Sequence, residues 1–366
     1  MGTFETARLI VRLDAIAANY RLCCELASPA TVAGVVKADA YGLGAAPVAR
    51  ALTATGCDTF FVARLEEGIA LRPIVPEARI FVLDGVQGDG APALIAHRLI
   101  PVLNALDEIA AWSAAALAQD ADLDCALHID TGMNRLGLPP DEASTLARET
   151  ARRLMRLRPV LIMSHLACAD DPQSAMNAMQ RERFLAALAM LPAAPASLSS
   201  SGGVLLGRDY AFDMVRLGIG LYGGNPQPSR PNPFAVAALL KGRILQLRRV
   251  DRGDSVGYGA TCRIQRPSTL ATAGLGYADG LMRAIGNRGA GAIAGIRAPI
   301  AGRLSMDLVT LDVTDLPAET LAVGAEVEFL GDTISLEEFA GWAGTASYEV
   351  LTSLGHRAPR HYERAR

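Results

Sequence analysis

The chain has 366 residues, of which 51% are hydrophobic and 20% charged, and its formal net charge is -3. This length predicts two domains, or one large barrel with an appended unit, and the composition is typical of a globular protein with ample material for a core. The slight acidic balance argues against a nucleic-acid partner, because no excess of Lys and Arg is available to displace counterions. No apolar run reaches the ~20 residues needed to span a bilayer, so we expect no membrane partner.

The N-terminal segment and the cysteines indicate the cellular compartment of the protein. Residues 1–8 lack a basic stretch followed by an apolar one, so we expect no signal peptide. The six cysteines show neither a Cys-x-x-Cys spacing nor a paired framework. We therefore expect reduced, mostly buried thiols in a cytoplasmic protein, and we predict no metal site.

Short apolar runs alternate with amphipathic stretches through the first two thirds of the chain. The runs predict strands at residues 7–13, 31–37, 59–63, 79–83, 99–103, 123–129, 159–165, 196–199 and 212–217. The amphipathic stretches predict helices at residues 15–26, from about 45, and at 105–118, 141–154 and 172–190. This alternation implies parallel strands joined by right-handed crossovers. Roughly eight such units fit a (β/α)8 TIM-type barrel better than an open sheet.

The character of the sequence changes at residues 226–233, where P-Q-P-S-R-P-N-P is typical of a linker. Beyond it few long helical runs occur, and strands are predicted at 244–250, 269–274, 298–302, 309–313 and 326–330. We therefore predict an α/β barrel over residues 7–230, followed by a mostly-β C-terminal domain over residues 236–366.

Polar residues stand repeatedly where the predicted barrel strands end. They are Lys37, Arg135 after the turn at 130–132, His165, residues 199–201, and Arg216. Because the active sites of such barrels lie at the C-terminal ends of the strands, this pattern predicts a functional site there.

Lys37 follows the apolar run V-A-G-V-V. Partial desolvation at that position lowers the pKa of the lysine and favours the free amine that forms imines. The alternative is a lysine that extends its charged end from the strand into solvent.

Two arginines are placed to meet anions. The guanidinium of Arg135 suits a carboxylate or a phosphate, although a surface ion pair is an alternative. Arg216 lies between apolar residues, and its burial requires an anionic or acceptor partner. Gly218 and Gly220 follow it and permit close backbone approach to a phosphate.

Two further features have both a functional and a structural interpretation. Hydroxyl and N–H groups of S-S-S-G-G at 199–203 offer a phosphate cradle, or form a turn without function. His165 is apolar on both sides and is either a site residue or a core histidine bonded to the backbone.

Seven motifs resemble those of the alanine racemase family and occur in that family's order. V-V-K-A-D-A-Y-G-L-G around Lys37 looks like the family's cofactor-lysine signature. The others are H-I-D-T-G-M-N-R-L-G, M-S-H-L-A, M-V-R-L-G-I-G-L-Y-G, V-G-Y-G-A-T, G-Y-A-D-G and G-R-L-S-M-D. The similarity covers nearly the whole chain, and the sequence is identified as a member of this family, whose enzymes use pyridoxal 5'-phosphate.

The resemblance implies a role for each matching barrel residue. Lys37 would hold pyridoxal phosphate as a Schiff base and act as one catalytic base. Arg216 would donate to the pyridine nitrogen, and His165 would orient Arg216. Arg135 would assist with the substrate carboxylate. Four residues would bind the phosphate: Tyr41, Ser201, Gly218 and Ile219.

The resemblance also implies a homodimer with shared active sites. Tyr258 would be the second catalytic residue and Met306 a substrate contact, with Tyr277 and Asp307 beside them. All four would come from the β-domain of a second subunit.

Four positions depart from the family's pattern. His128 stands where many members have a lysine that becomes carbamylated, which excludes that modification here. Ser200 replaces a common asparagine, Ser305 a frequent cysteine, and His356 a tyrosine that often binds phosphate.

The implied reaction is the interconversion of L-alanine and D-alanine, for peptidoglycan supply or for alanine breakdown. It needs two groups on opposite faces of the substrate, Lys37 for the D face and Tyr258 for the L face. We expect a positive neighbourhood from His165 and Arg216 to help Tyr258 act as a base. An arginine at the pyridine nitrogen keeps its proton, which weakens the electron sink and favours reprotonation over transamination.

Four alternatives remain open from the sequence. The first is a decarboxylase of the same architecture, although this chain lacks the late Cys-Glu/Asp-type motif expected of one. The second is a non-catalytic pyridoxal-phosphate carrier that resembles the barrel alone. The others are a racemase for serine or a broader amino-acid set, and a barrel without a cofactor.

Overall fold

The computed structural model describes residues 5–363. Residues 1–4, which begin the segment expected to lack a signal peptide, and residues 364–366, which end the predicted second domain, lie outside this range. Within it, no helix combines the length and apolar character needed to cross a membrane. All six cysteines are free, three of them buried and three half-buried.

Eight parallel strands form the first sheet, and each pairs with its neighbour in chain order. They are β2 (Thr31–Val35), β3 (Thr59–Val62), β4 (Arg79–Val82), β5 (Ile100–Leu103), β6 (Leu123–His128), β7 (Leu157–Met163), β8 (Ala196–Ser197) and β9 (Met214–Leu217). The sheet closes because β9 pairs with β2 and also lies beside β8, where the Arg216 amide donates to the Ser199 carbonyl at 3.0 Å. The predicted (β/α)8 barrel is confirmed.

Helices surround this barrel. They span Leu13–Ala27, Ala45–Ala54, Leu65–Leu71, Ala91–Ala96, Leu106–Ala118, Pro140–Arg148, Thr150–Arg153, Ala175–Met190 and Ser201–Val204. The barrel strands are buried on both faces, which explains their continuous apolar runs such as T-F-F-V in β3. Helices Leu65–Leu71 and Ala91–Ala96 were not predicted, because each is too short to show a clear helical period.

The first predicted strand forms but does not belong to the barrel. β1 (Ala7–Arg12) pairs antiparallel with β10 (Ala238–Val250) and parallel with β18 (Arg360–Glu363). Both edges of the barrel sheet are already occupied, since β2 pairs with β3 and β9, so no barrel edge is left for β1. The start of the chain therefore contributes to the second sheet.

The remaining strands are β11 (Ser255–Val256), β12 (Cys262–Arg263), β13 (Ser268–Ala273), β14 (Ala290–Ile293), β15 (Ile296–Pro299), β16 (Val309–Asp312) and β17 (Glu326–Leu330). The second sheet contains most of them, in the order β15-β14-β17-β10-β1-β18, with β13 paired to β10 and β16 paired to β13. The predicted mostly-β unit after the barrel is confirmed.

The two units are joined by a buried amide and by two unpredicted helices. Asn19 donates to the carbonyls of Leu221 and Ala235 at 3.1 and 2.9 Å and accepts from the Ala235 amide at 2.7 Å, which anchors the end of the linker. Helices Leu336–Ala343 and Ser347–Thr352 contribute residues to the wall of a cavity at the barrel mouth.

Candidate active site

A cavity of about 990 Å³ opens at the C-terminal ends of the barrel strands. Its wall contains every barrel residue predicted for the site: Lys37, Tyr41, Arg135, His165, Ser201, Arg216, Gly218 and Ile219. The volume lies in the range of small-molecule and cofactor pockets. The cavity therefore brings together the predicted barrel half of the site.

Lys37 enters the cavity from an unusual backbone turn. The four residues that follow it, Ala38, Asp39, Ala40 and Tyr41, all have φ between +52° and +56°. Left-handed backbone costs roughly 1–2 kcal/mol for each residue that is not glycine. Such a run persists only when surrounding contacts hold it in place.

Those contacts come from three directions. Within the turn, the Gly42 amide donates to the Ala38 carbonyl at 2.8 Å. From the barrel, Glu67 accepts from the amides of Ala38 and Ala63 at 2.6 and 2.7 Å, which ties the turn to the end of β3. From the second domain, Arg360 donates to the Gly42 carbonyl at 2.9 and 2.7 Å.

The charge environment favours a neutral amine at Lys37. Burial lowers the pKa of Lys37, and the positive charge of Arg135 lowers it further. Glu67 and Asp84 act in the opposite direction, and Arg216 adds a smaller lowering effect. Partial desolvation, expected from the position of the residue in the sequence, is therefore the main effect.

Arg216 lies within β9 and is 4% exposed. Its Nη1 donates to the carbonyl and hydroxyl of Ser197 at 2.9 and 2.5 Å. Its Nη2 donates to the Ser164 carbonyl at 2.6 Å and meets His165 Nδ1 at 3.2 Å. Burial lowers the pKa of Arg216 to about 9, so the guanidinium stays protonated at neutral pH. Within residues 5–363 its Nε has no partner, which leaves that N–H for a group in the cavity.

His165 is neutral in this setting. Burial lowers its pKa well below the usual range, and the charges of Arg216, Arg135 and Lys37 lower it further. Nδ1 therefore accepts from Arg216, and the ring carries no charge of its own. The expectation that His165 supplies positive charge near Tyr258 is wrong, because burial, reinforced by the neighbouring cations, lowers the pKa of the ring.

A polar cradle lies beside the left-handed turn. Ser201 Oγ accepts from the amides of Gly218 and Gly220 at 3.1 Å each, so its hydroxyl proton is left for another acceptor. A Cβ on Gly218 would lie 2.5 Å from the Tyr41 hydroxyl oxygen, so only glycine fits there. At Gly220 a Cβ would lie 2.7 Å from the Phe234 ring, and this glycine is required by packing.

These groups fit the cofactor that the resemblance implies. Tyr41 and Ser201 offer hydroxyl donors, and the Ile219 amide donates to no residue within 5–363. Arg216 offers a charged donor, and Lys37 an amine of lowered pKa. Donors for an anionic group, a donor for a ring nitrogen and an amine for an aldehyde thus line one cavity.

Arg135 stands on a loop that begins at His128, the last residue of β6. Asp130 Oδ1 accepts from the amides of Gly132 and Met133 at 2.9 Å each, which shapes the turn before Arg135. Arg135 is exposed, lines the cavity, and makes no hydrogen bond in the described part of the chain. Its guanidinium is therefore available to an anion that enters the cavity.

The predicted residues of the second domain do not line the cavity of their own chain. Tyr258, Tyr277 and Met306 are 69%, 42% and 53% exposed, and Asp307 is exposed beside them. We call these four residues the exposed face. Backbone contacts join the segments of Tyr277 and Met306, since the amides of Tyr277 and Ala278 donate to the carbonyls of Ser305 and Met306 at 3.2 and 3.0 Å.

A buried carboxylate fixes the part of the exposed face that contains Tyr277, Met306 and Asp307. Asp279 is 4% exposed and accepts from Arg357 at 2.7 and 2.6 Å and from the Gly276 amide at 2.9 Å. Arg357 also forms an ion pair with Asp307. One arginine thereby links the loop that carries Tyr277 to the loop that carries Met306.

Sequence reasoning missed the residues that hold the functional groups in place. Ser164 and Ser197 hold Arg216, and Asn104 Oδ1 lies 2.8 Å from His128 Nδ1. Asn104 follows the strand I-P-V-L, so the rule that located the other strand-end residues would have found it. Glu337 and Tyr348 of the second domain also line the cavity, and no sequence signal pointed to them.

Comparison with known proteins finds similarity to one family over nearly the whole chain. Residues 11–226 match the family model of the alanine racemase N-terminal domain, and residues 237–362 match that of the C-terminal domain. An alanine racemase of Rhodospirillum rubrum is 48% identical over 98% of this chain and 96% of its own length. A catabolic alanine racemase of Agrobacterium fabrum is 44% identical over 98% of this chain and 92% of its own length.

A solved structure gives the same result in three dimensions. The crystal structure of alanine racemase from Bartonella henselae, with covalently bound pyridoxal phosphate, superposes with a TM-score of 0.94 and 37% sequence identity. The match covers 98% of this chain and 99% of that one.

Proposed function

Because this chain belongs to the alanine racemase family, we propose that it interconverts L-alanine and D-alanine with pyridoxal phosphate as its cofactor. The observation that carries the proposal is the cavity itself, where Lys37, Arg216 and the Ser201–Gly218 cradle meet at the C-terminal ends of the barrel strands. The reaction is reversible, so the same site serves either D-alanine supply or alanine breakdown.

Residues of this cavity would hold the cofactor. Lys37 would bond to it, and Arg216 Nε would donate to its ring nitrogen. Four residues would hold its phosphate: Tyr41, Ser201, Gly218 and Ile219. When bound, the cofactor acidifies the substrate's Cα proton by delocalising the charge left on that carbon. Arg216 stays protonated at neutral pH, and neutral His165 keeps its guanidinium in position by accepting from Nη2.

Two residues would move the proton. Lys37, whose pKa burial lowers, takes or gives a proton at Nζ on one face of the substrate. Tyr258 would do the same at its hydroxyl on the other face. Since Tyr258 lies on the exposed face, away from the cavity wall of its own chain, we infer that a second copy supplies it. A homodimer would then have two sites, each with the barrel of one subunit and the exposed face of the other.

The remaining site residues complete this arrangement. Arg135 would meet the substrate carboxylate, and Met306 of the second copy would contact the substrate. The match over both domains does not support a carrier that resembles the barrel alone. A cytoplasmic location is compatible with six cysteines that are all free.

The test is chiral analysis of the product after the purified protein and pyridoxal phosphate are incubated separately with L-alanine and L-serine. We expect rapid D-alanine and little D-serine. Borohydride reduction followed by peptide mapping should place the cofactor on Lys37. Faster D-serine would reassign the substrate, and absence of any D-product with an unlabelled Lys37 would contradict the proposal.

A further inference from the structure

Gln180 lies on the helix Ala175–Met190 and does not belong to the cavity wall. Its side chain is fully buried, at 0% exposure. A buried amide is tolerated only where its polar atoms have partners, because it has given up its hydrogen bonds to water. The partners of Gln180 therefore indicate what this residue does.

The Gln180 amide binds the backbone that follows β7 at two points. Nε2 donates to the His165 carbonyl at 2.9 Å. A carbonyl only accepts, so this contact identifies the amide nitrogen, and Oε1 must be the acceptor. Oε1 accepts from the Ala167 amide at 2.8 Å. One side chain thus pairs with the backbone on both sides of Leu166, as the edge of a neighbouring strand would.

This segment depends on Gln180 for its backbone hydrogen bonds. β7 ends at Met163, and the Ser164 amide still donates to the Ser197 carbonyl at 3.0 Å. Residues 165–167 belong to no helix or strand. In the part of the chain that the structure describes, their backbone makes no hydrogen bond except the two to Gln180.

The same segment holds the Arg216 guanidinium. Arg216 Nη2 donates to the Ser164 carbonyl at 2.6 Å and to His165 Nδ1 at 3.2 Å. A shift of the backbone at His165 would therefore move an acceptor away from Arg216. Because the guanidinium is buried and its partners are neutral, its direction is determined by where those acceptors lie.

A second line of contacts leads from Gln180 to the same arginine. Gln180 Nε2 also donates to Thr131 Oγ1 at 3.1 Å, and Thr131 Oγ1 lies 2.8 Å from Ser164 Oγ. Thr131 and Ser164 are 2% and 1% exposed, so both hydroxyls are shielded from water. The amide thereby joins the segment after β6 to the segment after β7 directly behind the carbonyl that accepts from Arg216.

We propose that Gln180 is a positioning residue, whose amide holds residues 165–167 in place and thereby aims the Arg216 guanidinium through His165 and the Ser164 carbonyl. This inference rests on the proposed function, in which Arg216 Nε donates to the ring nitrogen of the cofactor. Gln180 itself touches neither the cavity nor a reacting atom. Its amide is neutral, so it fixes these acceptors without adding a charge that competes for Arg216.

Gln180→Met tests this role, because methionine has a similar length and volume but neither the donor nor the acceptor. We expect kcat for racemisation to fall about 30-fold while the KM for L-alanine stays within about threefold, since Arg216 acts on the cofactor and not on the substrate carboxylate. Rates from chiral chromatography at several L-alanine concentrations separate the two constants.

Asn177→Leu is the matched control. Asn177 is also a buried amide on this helix, at 2% exposure, and its side chain donates to the Asp171 carbonyl at 2.9 Å. Its loss leaves residues 164–167 and all three contacts of Gln180 intact. We expect kcat within about threefold of the unmodified enzyme, even where thermal unfolding shows a lower melting temperature.

Nuclear magnetic resonance with ¹⁵N-labelled histidine provides a readout other than turnover, on the purified protein with and without pyridoxal phosphate. We expect His165 Nδ1 to show the shift of a hydrogen-bonded acceptor in the unmodified protein and in Asn177→Leu. In Gln180→Met that signal should move towards the position of a free acceptor. A folded Gln180→Met protein with an unchanged His165 signal, or with kcat within threefold, would overturn the inference.

The unmodified protein provides a test that does not depend on variants. Ala167 is exposed, so slow hydrogen exchange of its amide would come from the bond to Gln180. We expect this exchange to be about 10³-fold slower than in an unfolded chain. Rapid exchange would contradict the inference even if Gln180→Met failed to fold. If the protein makes no D-alanine while the exchange and the His165 signals are as expected, the proposed function fails and the positioning of Arg216 stands.

Discussion

The cavity at the barrel mouth and the exposed face around Tyr258 differ in how each holds its polar groups. In the cavity Arg216 is 4% exposed, and its contacts are neutral acceptors from neighbouring strands of its own chain. On the exposed face Tyr258 is 69% exposed, and the Asp279–Arg357 ion pair fixes the neighbouring loops that carry Tyr277 and Met306. A desolvated cation can be preorganised within one chain, whereas the exposed face is desolvated only when another surface covers it.

Lys37→Ala should have the largest effect, because among residues 5–363 it removes the only side-chain amine on the cavity wall. We expect D-alanine formation to fall by about 10⁴-fold or more, since both the attachment of the cofactor and one proton transfer are lost. Chiral chromatography measures this rate. Circular dichroism should show an unchanged fold. An active Lys37→Ala protein would contradict the proposal that the reaction takes place in this cavity.

Tyr258→Phe tests whether the two regions come from different chains. Alone, we expect it to lower the rate by about 10³-fold, through loss of proton transfer on one face. Mixing it with Lys37→Ala under conditions of subunit exchange should restore activity. In the mixed dimer, one of the two sites then combines an intact Lys37 with an intact Tyr258.

The mixing experiment can also show that Tyr258 does not serve the other subunit. If Tyr258 served the cavity of its own chain, every site in the mixed dimer would lack one of the two groups, and mixing would restore nothing. Mixing either variant with Lys37→Ala,Tyr258→Phe double-variant chains is the matched control, and it should give no recovery.

The smallest predicted effect concerns acid stability and distinguishes buried from exposed histidines. The folded-state pKa of His128 is about 4, below the reference value of 6.5, so the unfolded state binds protons more readily in between. Stability is complete above pH 6.5 and falls as the pH drops towards 4, by about 3 kcal/mol from this group. Urea titrations should show a smaller loss in His128→Gln.

His356→Gln provides the matched control for that measurement. His356 is exposed and makes no hydrogen bond in the described part of the chain, so its replacement should leave the free energy of unfolding close to that of the unmodified protein. An identical pH dependence in His128→Gln and the unmodified protein would mean that burial of His128 has no energetic consequence.

Much of the fold could be predicted from hydrophobic patterning. Where the prediction failed, the reason is physical. Barrel strands were predicted because their burial on both faces produces continuous apolar runs. β1 was included in the predicted barrel over residues 7–230 because it is an apolar run followed by a helical stretch, and only its pairing with β10 and β18 places it in the second sheet. Sheet membership depends on partners that are distant in sequence, which local patterning does not report.

The site shows a similar division. Lys37, His165 and Arg216 could be predicted because an ionisable side chain embedded in an apolar run is costly and therefore informative. Ser164 and Ser197 could not be distinguished, since a neutral side chain at a strand end is common and its partner is visible only in three dimensions. The charge state of His165 also depended on neighbours from other strands.

The position of β1 between β10 and β18 has a consequence for biosynthesis. During translation the barrel can close once β9 has emerged, but β1 must wait for a partner made in the second half of the chain and for another made near residue 363. Throughout that interval β1 is an unpaired apolar strand attached to a folded barrel. Such an exposed strand can associate with other nascent chains. The same late step brings Arg360 to the Gly42 carbonyl. A ribosome-bound barrel would therefore contain Lys37 before this hydrogen bond stabilises the left-handed turn that follows it.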